Sequence, residues 1–184
     1  MAASTPGKDW VHLLDGMLAE QYKTKTHYEI LQVAAWEKSY ASFDKSSFDE
    51  QFPREKIDIV VIRLGENVND LDDYENAFRE FVQYIKKRVP NATGYITGNF
   101  FPNAEKDIIH ESIAKESGYK WISLDGLCTP ENRATLDTRV FGDDKQWHLI
   151  SDGGDVAWDV ARHPGDKGMN AIAERIFKTI LDTK

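Results

Sequence analysis

The chain has 184 residues, 41% hydrophobic and 29% charged, with a formal net charge of −8. That length supports one hydrophobic core, so a single domain spanning 1–184 is expected. The acidic balance, with lysines scattered rather than clustered, excludes a surface built for the phosphate backbone of nucleic acid. No apolar run approaches membrane-spanning length, and no membrane partner is expected. The opening "MAASTPGKDW" lacks the apolar middle of a signal peptide. The lone cysteine, Cys128, excludes both a disulfide framework and a thiolate metal site.

In chain order, Trp10, Val11, Leu14 and Leu18 form one helical stripe. "YEILQVAAW" (Tyr28 to Trp36) then reads as a β-strand, being apolar and β-rich. A second strand, "KIDIVVIRLG" (Lys56 to Gly65), is apolar almost throughout, the pattern of a parallel strand buried on both faces. A helix is expected from about Asp70 to Arg88, where Leu71, Tyr74, Phe78, Phe81, Val82 and Ile85 recur at three- and four-residue steps. Asn69 or Asp70 would cap it. A third strand, "ATGYITGNFF" (Ala92 to Phe101), leads to a helix over about Ala104–Ser117 that Gly118 ends. "KWISLDGL" (Lys120 to Leu127) is the fourth strand. The last helix covers about Gly168–Leu181, with Met169, Ile172, Ala173, Ile176 and Ile180 inward and Asp166 as its N-cap. Strands alternating with helices predict a three-layer α/β/α fold on a mostly parallel sheet.

Ligands in such sheets bind beyond the carboxyl ends of the strands. "GENVND" follows the second strand there: Gly65 permits a sharp turn, and Asn67 offers an uncharged amide donor of the kind that stabilises an oxyanion. His163 stands before Pro164 at the approach to the last helix, where the positive end of the helix dipole favours the neutral imidazole of a general base. His12, His27, His110 and His148 are isolated, with no H-x-H or H-E-x-x-H pair, so neither metal nor cofactor is expected.

"VVIRLGENV" and "HPGDKGMNAIAERI" together resemble two sequence blocks of the SGNH (GDSL-like) hydrolases, a family of esterases and acyl hydrolases. The resemblance implies a flavodoxin-like sandwich with sheet order 2-1-3-4-5 and a Ser–His–Asp or Ser–His site acting on ester bonds. It makes His163 the base, Asn67 an oxyanion donor across the crevice, and Gly65 the residue shaping that turn. A second oxyanion donor, a backbone N–H, falls in "VAAW" at Ala34, where the family usually has glycine. The implied substrate is a small ester, with acetylated saccharide the guess that the family supports.

Two departures stand out. The family's aspartate lies three residues before the histidine, where this chain has Val160; Asp159, one residue earlier, is the substitute, or a carbonyl orients the ring. The nucleophilic serine belongs to a Gly-Asp-Ser-like motif after a first strand, and the chain contains no such strand or motif. Ser4 is the only serine in that region, and no G-x-S-x-G elbow occurs elsewhere. The sequence therefore reads as starting downstream of the natural start, with Met1 an internal methionine of a longer esterase. Little serine-dependent activity is expected. A secreted or periplasmic location belongs to that longer form. Loss of the central strand would leave facing strand edges unpaired and favour self-association.

Two other readings compete. Five tryptophans (Trp10, Trp36, Trp121, Trp147, Trp158) and the pair Phe100–Phe101 would serve a non-catalytic carbohydrate-binding module on the same fold. A nucleotide- or flavin-binding flavodoxin-like protein is the other, although the chain has neither G-x-G-x-x-G nor G-x-x-x-x-G-K-[ST].

Overall fold

A computed structural model describes residues 2–52 and 56–183. Met1, on which the reading of an internal methionine rests, lies outside them. The chain divides into two compact units, Met1–Tyr28 together with Leu124–Lys184, and Glu29–Ser123.

The Glu29–Ser123 unit is mixed α/β. Its sheet has three parallel strands in the order β1 (Ile59–Ile62), β2 (Thr93–Thr97), β3 (Lys120–Ile122), with Ile62 opposite Ile96 and Thr97 opposite Ile122. Helix α3 (Tyr74–Arg88) connects β1 to β2, and α4 (Ala104–Ser117) connects β2 to β3. This alternation is the physical basis of the parallel pairing, because parallel neighbours require a crossover. The predicted stripe on α3 is buried at Tyr74, Phe78, Phe81, Val82 and Ile85, and α4 has the expected bounds. Asn103 caps α4 by accepting from Lys106 N, and Gly118 ends it at φ 75°.

The sequence expectation fails at three points in this unit. Residues 29–33 form no regular element, and Ala34–Ser39 is a short helix, α2, instead of the end of a strand. Ala34, Ala35, Glu37 and Lys38 favour a helix, and it turns Trp36 inward, with ring centroids 4.8 Å from Phe81 and 6.2 Å from Tyr74. Next, α3 begins at Tyr74 rather than near Asp70; Asp73 holds the N-cap position at φ 58°, without a side-chain cap. Finally, β1 is only partly buried at Ile59, Val60 and Val61. Among the described residues it pairs with β2 alone, so it is an edge strand, not a central one.

The other unit is held by α1 (Trp10–Tyr22) packed on α6 (Asp166–Asp182). The Asp9 carboxylate caps α1 by accepting from Val11 N and His12 N. An antiparallel hairpin, β4 (Arg139–Phe141) and β5 (Trp147–Leu149), precedes α5 (Ala157–Arg162). The inward residues predicted for α6 are all buried. Gly168 is required by packing, since a Cβ there would lie 2.1 Å from the Asn132 carbonyl oxygen. Asp166 is not the N-cap: Gly165 holds that position. The Asp166 carboxylate is drawn away by the Ser4 N–H (2.7 Å), the Ser4 hydroxyl (2.8 Å) and Lys8 Nζ (2.7 Å). Among the described residues, no helix is long and apolar enough to cross a membrane.

Candidate functional site

The residues singled out from sequence fall into two groups, one in each unit. In the Glu29–Ser123 unit the turn after β1 is closed by the Val68 N–H donating to the Gly65 carbonyl at 3.2 Å. Gly65 has φ 108°, which only glycine adopts freely. A Cβ there would also meet His110 Cε1 at 3.0 Å, and Asn99 Oδ1 and the Tyr74 hydroxyl at 3.2 Å. Asn67, named from sequence as a donor, and the N–H of Gly65, named only as shaping the turn, converge on the side chain of Glu37, whereas Ala34, the expected backbone donor, has no part in this contact. The Gly65 N–H donates to Glu37 Oε1 at 2.5 Å, and Asn67 Nδ2 donates to Glu37 Oε2 at 2.7 Å. Glu37 is only 6% exposed.

Around this contact the strand ends carry further polar contacts, some buried and some partly exposed. Lys106, 7% exposed, donates from Nζ to the carbonyls of Gly65 (2.7 Å) and Val68 (2.5 Å). Burial lowers its pKa from the ordinary lysine value, opposed by the charges of Glu37, Glu66 and Asp107. Glu66 accepts from Arg63 Nη2 at 2.7 Å and from the Phe100 N–H at 2.9 Å, joining the turn after β1 to the turn after β2. Asp107 accepts from the Asn99 N–H at 3.1 Å. His110 is fully buried: its Nδ1–H donates to the Thr97 carbonyl at 3.2 Å, and its Nε2 accepts from the Tyr74 hydroxyl at 2.8 Å. Burial drives the His110 pKa down to about 4, so the ring is neutral near pH 7. The same desolvation raises the Tyr74 pKa and keeps its hydroxyl a donor.

In the other unit, His163 does not lie in the first turn of the last helix. It is the C-cap of α5, extended at φ −69° and ψ 162°, as a residue before proline prefers. Its carbonyl accepts from the Ala134 N–H at 2.9 Å. Its Nδ1–H donates to the main-chain carbonyl of Asp159 at 2.7 Å. The orienting acceptor at Nδ1 is thus a carbonyl rather than the Asp159 carboxylate, and the bond leaves Nε2 as the basic nitrogen. Ala34 opens α2 and is exposed.

The hydroxyls of Ser4, Ser39, Ser46, Ser47 and Ser117 donate to a carboxylate or a main-chain carbonyl, not to an imidazole. No group of three or more His, Cys, Asp or Glu able to hold a metal occurs among the described residues. Of the tryptophans, Trp36 is fully buried, whereas Trp147 and Trp158 are 47% and 70% exposed.

Sequence reasoning missed Glu37, Lys106 and His110. Glu37 sits in a segment read as the end of a strand, and its partners are 28 and 30 residues away. The available signal for Lys106 was its place in the first turn of a helix facing a strand-end crevice. No protein-family model, curated protein or solved structure matches the chain.

Proposed function

We propose that the chain is an SGNH-type ester hydrolase scaffold of the flavodoxin-like class, directed at a small acyl or acetyl ester. The observation that carries this reading is the convergence of the Gly65 N–H and the Asn67 amide on the two oxygens of one carboxylate. A pair of fixed, partly buried donors that holds a carboxylate also suits the negative oxygen of a tetrahedral intermediate. His163 supports the reading with an imidazole whose Nδ1–H is tied to a main-chain carbonyl, so that Nε2 can take a proton from a nucleophile or water. Acetylated saccharide is the substrate class favoured by the sequence resemblance. The edge of β1 is the proposed surface for self-association, which concentration-dependent elution in size-exclusion chromatography tests.

The test is p-nitrophenyl acetate hydrolysis by the chain and by His163→Ala. With no Gly-Asp-Ser-like motif in the sequence, hydrolysis is expected to be slow but above the buffer rate. His163→Ala is expected to lower it by about a hundredfold, the span of one general base. A rate unchanged by that substitution sinks the hydrolase reading. A carbohydrate-binding role is the second reading, favoured by the exposure of Trp147 and Trp158. Quenching of tryptophan fluorescence by saccharides that is lost in Trp158→Ala would favour it over hydrolysis.

A further inference from the structure

The Glu37 contact has features that one more buried hydrogen bond does not require. Both carboxylate oxygens are used, each by a different donor, one from the main chain and one from a side chain. The turn that supplies them is fixed from behind by Lys106, which donates hydrogen bonds to two of its carbonyls. Lys106 also sets a positive charge beside the donors. Three acids influence that charge, and two of them are tied elsewhere: Glu66 to Arg63 and the Phe100 N–H, Asp107 to Asn99. Glu37 is the one bonded to the turn itself. Asn67 is exposed, so the site reaches solvent on its side.

We infer that the Gly65–Val68 turn is a carboxylate-binding site whose resident occupant is Glu37, and that a free short-chain carboxylate takes its place when Glu37 is removed or withdrawn. The ligand class follows from the chemistry. Truncating Glu37 to alanine removes Cγ, Cδ and both oxygens, which is the heavy-atom skeleton of acetate. A buried cation and two donors left without their anion select a charged ligand over a neutral one of equal shape. The inference rests on the ester-hydrolase reading for its meaning: the site would hold the oxyanion and then the carboxylate product, and Glu37 would compete with both. Its geometry is independent of that reading.

The experiment compares the chain with Glu37→Ala, following the Gly65 amide by ¹⁵N NMR and unfolding by heat while acetate, acetamide or chloride is added. Acetate is expected to raise the melting temperature of Glu37→Ala saturably and to move its Gly65 amide proton downfield. Acetamide and chloride at equal concentration leave both unchanged. The unsubstituted chain and Glu37→Gln, whose side chains still fill the site, do not respond, and adding Asn67→Ala to Glu37→Ala weakens the acetate response at least several-fold. If Glu37→Ala is unfolded in buffer, acetate is expected to restore the folded spectrum. Lack of an acetate-specific response in Glu37→Ala, whether folded or not, overturns the inference. An acetate response alongside ester hydrolysis insensitive to His163→Ala keeps the site and removes the hydrolase reading; the opposite pair of results removes the site alone.

Discussion

The Gly65 turn and the His163 corner hold their key groups by different means. At Gly65, geometry is fixed by buried side chains: Glu37 spans two donors, Lys106 ties two carbonyls, and His110 packs beneath. At His163, geometry is fixed by main chain: the ring bonds the Asp159 carbonyl, and the backbone bonds Ala134. A site held by buried ionisable groups depends on their protonation and identity. One held by carbonyls depends on the path of the backbone. The first should therefore be sensitive to pH and to side-chain truncation, and the second largely indifferent to both.

The largest expected effect comes from His110. The folded chain keeps it neutral down to about pH 4, whereas the unfolded chain takes up the proton near the ordinary value of 6.5. Between those values the unfolded state binds more protons, so stability falls as pH drops from about 6.5 to about 4, by about 3 kcal/mol in total. Denaturant titrations at pH 7 and pH 4.5 check this. In His110→Asn the loss across that interval should shrink to what the carboxylates contribute. An equal loss in both proteins would break the contrast drawn above.

Gly65→Ala comes next, at about 2 kcal/mol, from a side chain forced to positive φ against His110, Asn99 and Tyr74. Its unfolding midpoint should drop without a change in denaturant slope. The smallest effect sharpens the comparison from the other side. Asp159→Asn leaves the carbonyl that orients His163 in place, so stability should stay within about 0.5 kcal/mol. The His163 tautomer, read from its ring nitrogen shifts, should not change. A tautomer switch in Asp159→Asn would assign the orientation to the carboxylate instead.

The regular helices were legible in the sequence because their signals are local. The stripe on α3, the bounds of α4 between Asn103 and Gly118, and the inward face of α6 follow from spacing and caps. Errors arose where distant contacts decide. Tyr28 to Trp36 has strand composition, yet its outcome depends on Trp36 packing against Tyr74 and Phe81. Asp166 has the residue type of an N-cap, but Ser4, 162 residues away, claims its carboxylate. The β4–β5 hairpin does carry a local signal, "RVFGDDKQWHL", two short apolar runs flanking a Gly- and Asp-rich turn. In the candidate site, Gly65, Asn67 and His163 stood out through residue type and position. Glu37 did not, because nothing within a few residues of it reveals what it bonds.

The central claim is that the Gly65 N–H and the Asn67 amide form one carboxylate site, held by Glu37. Acetate titration of Glu37→Ala, alone and combined with Asn67→Ala, tests it most directly, with the Gly65 amide proton as the probe. Two donors to one ligand are coupled, so Glu37→Ala should respond saturably and the double variant at least several-fold more weakly. No acetate-specific response in Glu37→Ala, or an equal response in the double variant, would contradict the account.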